Sequence, residues 1–348
     1  MQGAVNRSVL GPGGSGKGWG AMAGSVGRLR VNQEQIVLMI AVAAFAVFSV
    51  LIPNFLSASN FTALLQNVSV LGILAIGMAV TILGRGIDLS MVASMSISIA
   101  WMLTMLNAGV PMAQALALAV LFSTVIGILN GVLIAYVEIP AIFATLATGV
   151  VIYGFGRYFL VEADVSYLPD DLKWLAEAAT SDPFGVPVPV IIFALAGLAA
   201  WLFLRQLRAG RFIYALGDNP ATARTSGVSV RRLMVLQYVL SALVALLAGF
   251  LMTALVVSMN TRIVASTLVY DVILVAVLGG VSLSGGRGGI KSVIVGTVLI
   301  GILLNGMTML NLTYTTQNVV KALILLMALV FDTVLNPRDE QTAQQGDI

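Results

Sequence analysis

The sequence predicts an all-α fold, a polytopic membrane bundle of about ten transmembrane helices. The first observation is composition, because 59% of the residues are hydrophobic and only 9% are charged, whereas soluble domains carry roughly 25% charged residues. The second is length, because apolar runs of about 20 residues, enough for a helix to cross a bilayer, follow one another along the chain. A transmembrane β-barrel would show short segments of alternating hydrophobicity instead.

The chain contains neither cysteine nor histidine. Thiolate and imidazole metal sites, a disulfide framework and the commonest general base are therefore excluded. We expect no enzyme activity, no metal site and no cofactor bound by the chain itself.

The apolar runs divide the chain into a flexible amino-terminal tail (1–33), a transmembrane domain (34–336) and a short carboxy-terminal tail (337–348). The predicted spans, taken in order, are 36–52, 64–83, 89–106, 113–137, 141–160, 188–204, 233–257, 267–281, 292–310 and 318–335.

The amino-terminal tail contains a partial match to a phosphate-binding loop. Residues 11–17 fit the first seven positions of G-x-x-x-x-G-K-[ST], but Gly18 stands where the magnesium-binding hydroxyl belongs. Neither a strand before it nor an amphipathic helix after it is predicted, and the motif needs both. We expect no nucleotide binding there.

The distribution of basic residues predicts the orientation of the chain in the membrane. Segment 205–232 carries six arginines against one acid, Asp218, and short arginine-rich loops lie on the cytoplasmic side. The basic residues of the two tails place both termini in the cytoplasm by the same rule. Segment 161–187 is rich in acidic residues and is expected at the outer surface. Four basic residues fall outside the inner segments: Arg157, Lys173, Arg262 and Lys321.

Segment 205–232 also contains a helix start. Asn219 is suited to an N-cap and Pro220 to the first helical position, so a short helix over 221–226, ended by Gly227, is predicted. It is either part of a connecting loop that only sets topology or a docking helix for a cytoplasmic partner.

A few polar residues interrupt the apolar spans. Asn130 and Asn305 either hydrogen-bond between helices or contact a solute. Asp88 is expected to cap the third span or to act as a gate or solute contact. Asp271 is expected to be a helix cap, and Lys321 to extend its side chain outward.

Two stretches of the chain are similar to each other. Residues 126–131 read IGILNG and residues 300–306 read IGILLNG, in the fourth and ninth spans. This similarity suggests two halves of five spans in opposite orientations, an arrangement common in transporters, although chance similarity between helices rich in glycine and isoleucine is the alternative.

Three ordered motifs resemble the permease subunits of ATP-binding-cassette (ABC) importers for sugars of the ribose, xylose and galactose type. The first motif is GIDLS at 86–90, which contains Asp88 and Ser90. The second, similar to the cytoplasmic coupling segment of the family, comprises Gly217, Asp218, Asn219, Pro220, Ala223, Arg224, Ser226 and Gly227. The third, close to its inner glycine-rich turn, includes Gly279, Gly280, Ser284, Gly285, Gly286 and Arg287.

The resemblance implies a permease of the bacterial inner membrane that moves a monosaccharide or a related polyol-like solute into the cytoplasm. The partners it implies are a cytoplasmic ATPase that binds the ATP, a periplasmic sugar-binding protein and a second permease, identical or paralogous; membrane lipid surrounds the chain, and no nucleic acid is expected. The second motif would couple to the ATPase. A translocation path or gate is expected at Asp88, Ser90, Asn130 and Asn305.

The chain departs from the family pattern at a few positions. Arg85 stands where a glycine is common, Glu138 replaces an expected basic residue, and 91–93 read MVA in place of a small Val-Gly-Ser run. Other functions considered are an ion- or proton-coupled secondary transporter, an integral-membrane enzyme, and a permease of the same superfamily for branched-chain amino acids or nucleosides.

Overall fold

A computed structural model describes residues 33–335 of the chain, with side chains up to residue 330. The tails predicted for 1–33 and 337–348, with the partial phosphate-loop match, lie outside the described residues except for Gln33. The α-helices are α1 Gln33–Leu51, α2 Ala58–Leu83, α3 Met91–Asn107, α4 Met112–Ala135, α5 Ala141–Phe155, α6 Lys173–Thr180, α7 Val188–Gln206, α8 Arg208–Asp218, α9 Pro220–Thr225, α10 Val230–Val256, α11 Leu268–Gly279, α12 Ile290–Met309 and α13 Tyr314–Leu335. A π-helical turn, Gly156–Leu160, continues α5, and two strands, β1 Val165–Tyr167 and β2 Ser258–Asn260, pair antiparallel.

Each predicted span coincides with one apolar helix. Within the described residues, seven helices are long and apolar enough to cross a membrane: α1, α2, α4, α5 with its π turn, α7, α10 and α12. Three shorter apolar helices, α3, α11 and α13, correspond to the remaining predicted spans. The chain is therefore a polytopic helical membrane protein, as predicted.

The two ends of the bundle differ in structure. One end, here called the basic end, carries the loops 84–90, 136–140 and 280–289 together with α8 and α9. The other, the strand end, carries β1 and β2, which join the connection after α5 to the connection after α10. Helix α8 is amphipathic, and its apolar side is buried, whereas the sequence predicts only a polar loop over this stretch.

Helix α2 lies at the centre of the bundle, where it contacts α7, α10, α11 and α12. Every residue from Leu71 to Leu83 is buried. Small residues allow this close packing in a membrane bundle; a Cβ atom on Gly72, for example, would lie 2.5 Å from the ring of Phe193 in α7. In contrast, α4, α5, α7 and α13 expose large apolar side chains, as helices in contact with lipid do.

The two similar stretches occupy reciprocal positions in the packing. A Cβ atom on Gly127 of α4 would lie 2.5 Å from Val239 Cα in α10, and one on Gly301 of α12 would lie 2.1 Å from Val68 Cγ2 in α2. Helices α4 and α12 are each fourth among their five predicted spans, and α2 and α10 are each second. This reciprocity supports the inverted repeat of five and five spans.

At the strand end, ion pairs link residues of the connections between helices. Arg157 and Arg262 both pair with Asp164, at 2.8 and 2.6 Å, and Lys173 pairs with Asp170 at 2.8 Å. The acidic segment 161–187 therefore neutralises three of the basic residues that lie outside the inner segments.

Candidate functional site

Three loops of the basic end meet at Arg85. Its Nε donates to the carbonyl oxygen of Gly217 (2.8 Å), and its Nη2 donates to that of Asp218 (2.9 Å). These carbonyls belong to the last residues of α8, where a helix leaves its C=O groups without intrahelical partners and carries partial negative charge. The Arg85 guanidinium group donates hydrogen bonds to these carbonyls and places a positive charge beside their partial negative charge. Arg85 itself has a φ of 65°, which explains why a glycine would suit its position.

The glycine-rich turn, which is the third motif, also contacts the loop of Arg85 and the end of α8. Gly286 N donates to the carbonyl oxygen of Leu83 at 2.9 Å. A Cβ atom on Gly217 would lie 1.9 Å from that same oxygen and 2.3 Å from Gly286 N, so a side chain does not fit there. We call this three-way contact between residues 83–86, 217–218 and 285–286 the basic-end junction.

Helix α9 projects from the junction. Asn219 Oδ1 caps it by accepting from Thr222 N at 3.0 Å, Pro220 occupies the first turn, and Gly227 follows the helix with a φ of 82°. Ala223 is its only buried residue, whereas Arg224 and its neighbours through Gly227 are exposed. The predicted short helix is therefore present, one residue earlier at each end, and it presents a small-sided exposed surface.

The remaining residues of the glycine-rich turn set the connection between α11 and α12. A Cβ atom on Gly279 would lie 2.0 Å from Ser292 O, and Gly280 ends α11 with a φ of 113°. The Ser284 hydroxyl lies 2.9 Å from the Ser282 hydroxyl. The backbone N–H of Ser282 donates to Arg287 O at 3.2 Å. Gly285 has a φ of 82°. The turn holds its two helices close together beside the junction.

Asp88, just beyond the junction, accepts three hydrogen bonds although it is fully buried. Its Oδ1 accepts from Ser90 N (3.1 Å) and Ser90 Oγ (2.6 Å), and its Oδ2 accepts from Ser241 Oγ (2.8 Å). The predicted capping role is wrong, because Ser90 occupies the N-cap position of α3. Burial raises the pKa of the Asp88 carboxyl, and the hydrogen bonds from Ser90 and Ser241 oppose that rise.

The hydrogen bonds continue from Ser90 into two further helices. Asn130 Nδ2 donates to Ser90 Oγ at 2.7 Å, and Thr148 Oγ1 donates to Asn130 Oδ1 at 2.5 Å. A continuous chain, here called the Asp88 network, thus joins the α2–α3 loop to α4, α5 and α10. Because the side chains are buried and mutually satisfied, the network holds the loop and the three helices in a fixed arrangement.

Asn305 lies apart from this network. It exchanges two hydrogen bonds with Asn60, at 2.8 and 3.2 Å, and so joins α12 to the first turn of α2. The structure thus brings together Asp88, Ser90 and Asn130 but not Asn305.

Sequence reasoning missed two buried polar side chains of α10. Gln237 Oε1 and Tyr238 Oη have no hydrogen-bond partner among the described residues. Both face the junction loop, since Cβ atoms on Gly84 and Gly86 would lie 1.9 Å from Gln237 Oε1 and 2.4 Å from Tyr238 Oη. A single polar residue in an apolar helix forms no recognisable motif, so the sequence did not identify Gln237 or Tyr238 as functional.

The structure accounts for Glu138 and corrects the expectations for Asp271 and Lys321. Glu138, where a basic residue was expected, pairs with Arg231 at 3.0 Å, so a basic residue there would face a like charge. Asp271 does not cap α11, and Lys321 does not extend outward. Instead their side chains pair at 2.9 Å and are almost fully buried.

Comparison with known proteins gives one family and close relatives. The family described as "Branched-chain amino acid transport system / permease component" matches residues 60–329. The chain is 34% identical to the ribose import permease protein RbsC of Escherichia coli K12 over 303 residues, which cover 86% of this chain and 93% of the relative. It is 35% identical to RbsC of Bacillus subtilis 168 over 286 residues (82% and 88%). Identity to the galactofuranose transporter permease protein YtfT of E. coli K12 is 33% over 267 residues (77% of each). No solved structure matches the chain.

Proposed function

The chain belongs to the branched-chain amino acid transport system permease family, and we propose that it moves a monosaccharide or a related small polyol-like solute from periplasm to cytoplasm. It is a multi-pass inner-membrane protein and the permease of a sugar ABC importer. The ribose and galactofuranose permeases support the sugar class, since each is matched over most of its length. The family and its relatives do not favour a secondary transporter.

Permeases of ABC importers work with an ATPase and a substrate-binding protein. For this chain we assign the docking of the cytoplasmic ATPase to Gly217, Asp218, Asn219, Pro220, Ala223, Arg224, Ser226 and Gly227. The ATPase binds the ATP, a periplasmic sugar-binding protein delivers the solute, and a second permease, a copy or a paralogue, completes the pathway. The basic end and both termini face the cytoplasm, as the arginine-rich segment 205–232 favours.

The observation that carries the coupling proposal is the pair of hydrogen bonds from Arg85 to the end of α8. Because α9 follows α8 directly, a partner that pulls on α9 also pulls on Arg85. Arg85 follows α2, the central helix, and stands three positions before Asp88. Movement of α9 would therefore reach α2, α3, α4, α5 and α10 through fixed hydrogen bonds rather than through a flexible loop.

We assign the gate to Asp88, Ser90 and Asn130, because their network joins the α2–α3 loop to three helices at one point. Asn305, in contrast, has the geometry of a helix-packing contact. The turn formed by Gly279, Gly280, Ser284, Gly285, Gly286 and Arg287 supports the junction through the contacts of Gly286 with Leu83 and Gly217.

Uptake by the reconstituted importer tests this function. The chain is placed in proteoliposomes with its ATPase and its binding protein, and uptake of labelled D-ribose, D-xylose and D-galactose is measured. We expect one of these sugars to enter with ATP and not with a non-hydrolysable analogue. Uptake that a protonophore abolishes while ATP is held constant would contradict the proposal.

A further inference from the structure

Asp271 and Lys321 form a buried ion pair within two apolar helices, α11 and α13. The carboxylate Oδ2 lies 2.9 Å from the Lys321 ammonium, and the side chains are only 11% and 9% exposed. The ammonium also donates to Thr267 Oγ1 at 2.8 Å, and that hydroxyl donates to Asn318 Oδ1 at 3.2 Å. These four residues, here called the cluster, lie toward the strand end, at the other end of the bundle from the basic-end junction.

An ion pair in this position requires an explanation. Charged groups within membrane spans are costly, and they usually mark the path of a solute or an ion. A buried pair is by itself weak evidence of a stabilising role, because the cost of desolvation offsets much of the attraction. The pair does not belong to the Asp88 network or to the junction.

The cluster forms one wall of a cavity of about 300 Å³ between α11 and α13. The other wall is apolar and includes Leu274, Leu325 and Leu329. Pockets for small molecules begin at roughly this size and combine apolar walls with a few convergent polar groups. The cavity therefore has the size and the character of a site for a small solute.

The unused hydrogen-bonding groups indicate the class of solute. Among the described residues, Oδ1 of Asp271 accepts no hydrogen bond, although Asp271 lines the cavity. Tyr270, also in the lining, adds an aromatic ring and a hydroxyl. An acceptor and a hydroxyl beside apolar walls suit a neutral molecule with several hydroxyl groups. A zwitterionic amino acid would first have to separate the ion pair.

We propose that this cavity binds the monosaccharide on its way through the outer half of the permease. Asp271 Oδ1 accepts a hydrogen bond from a sugar hydroxyl, and Lys321 holds the carboxylate in place and neutralises it. The inference rests on the proposed function and adds to it a sugar-contacting site.

Protection of an introduced cysteine from labelling tests the site. The chain has no cysteine, so Asn318→Cys supplies the single reactive thiol in the cavity. Thr316→Cys, exposed on the same helix, is the matched control. The importer is reconstituted with its partners and treated with a membrane-impermeant maleimide, with and without the sugar that the uptake assay identifies. We expect that sugar to slow labelling at position 318 several-fold and to leave position 316 unchanged.

An equal labelling rate at position 318 with saturating sugar would overturn the site while ATP-driven uptake still supported the proposed function. Protection by L-leucine and not by any sugar would also overturn it, in favour of an amino-acid site. Absence of uptake of every sugar would instead count against the proposed function.

Neutral and exchanged variants separate binding from a purely structural role. Asp271→Asn with Lys321→Gln is expected to raise the KM for the sugar about tenfold or more, the effect of losing a hydrogen bond to a charged group. Asp170→Asn with Lys173→Gln removes an exposed pair at the same end and should leave KM unchanged. The exchange Asp271→Lys with Lys321→Asp should restore the amount of protein in the membrane but not KM. Recovery of a normal KM by this exchange would show that the pair only holds α13 to α11.

Discussion

Arg85 donates its Nε hydrogen to the main-chain oxygen of Gly217, a residue 132 positions later in the chain, at 2.8 Å. This bond joins the loop after the central helix to the end of α8, and α9 begins two residues further on. A second bond, to the oxygen of Asp218, fixes the direction of the guanidinium group. Direct hydrogen bonds therefore connect the segment that carries the exposed helix α9 to the buried core of the bundle.

The close contact at Gly217 should make any side chain there costly. In Gly217→Ala the new Cβ would lie 1.9 Å from Leu83 O and 2.3 Å from Gly286 N, and because both of these are backbone atoms, the junction must open. We expect a loss of about 1–3 kcal/mol, typical of overpacking, together with reduced uptake. Thermal unfolding of the purified protein in detergent measures the loss. Gly154→Ala, at a helical site with open space around it, should leave the midpoint unchanged; an equal midpoint for both variants would show that the junction has room.

Two changes on α9 should uncouple transport without affecting membrane insertion. Gly227 has a φ of 82°, which proline cannot adopt, so Gly227→Pro should distort the end of the helix. Arg224→Glu reverses an exposed charge on the surface assigned to the ATPase. We expect both variants to be present in the membrane at normal levels while sugar uptake falls about tenfold or more. Arg232→Glu, an exposed charge reversal outside α9, serves as the control. Normal uptake in both α9 variants would exclude the docking role.

The two intramembrane asparagines should give different defects. Asn130→Ala removes the donor to Ser90 and the acceptor for Thr148, which breaks the Asp88 network in the middle. We expect slower uptake per molecule of membrane-inserted protein. Asn305→Ala breaks only the contact with Asn60, so it should lower the thermal midpoint and leave the rate per inserted molecule unchanged. The assignment fails if the two variants show the same pattern of defects.

The sequence predicts the spans well because each apolar run of bilayer length is sufficient by itself to predict a membrane-spanning helix. The start of α9 is equally local, since Asn219 and Pro220 are adjacent. Helix α8 was missed because it is only 11 residues long and just four of them, Gly210, Ile213, Leu216 and Gly217, are buried, so its apolar stripe is short. The strands β1 and β2 are three residues long and pair across more than 90 positions, so neither segment shows a pattern alone.

Ion pairs between distant residues were the least predictable feature. Arg157, Lys173, Arg262 and Lys321 stand outside the basic segments, and each pairs with an aspartate in the structure. Of the four pairs, only that of Lys173 lies within one turn of a helix. For Lys321 the partner is 50 positions away, so charge and spacing predicted a side chain directed to the surface.

The most direct test of the coupling role of the junction is the number of sugar molecules transported per ATP hydrolysed, measured for Arg85→Ala in proteoliposomes with the ATPase and the binding protein. Arg208→Ala removes an exposed arginine from α8 and should keep the ratio of the unmodified importer. For Arg85→Ala we predict continued binding and hydrolysis by the ATPase, with a ratio about tenfold lower, because two hydrogen bonds from a charged group are lost. An unchanged ratio in Arg85→Ala would contradict the claim that the junction transmits the movement of α9 to the core.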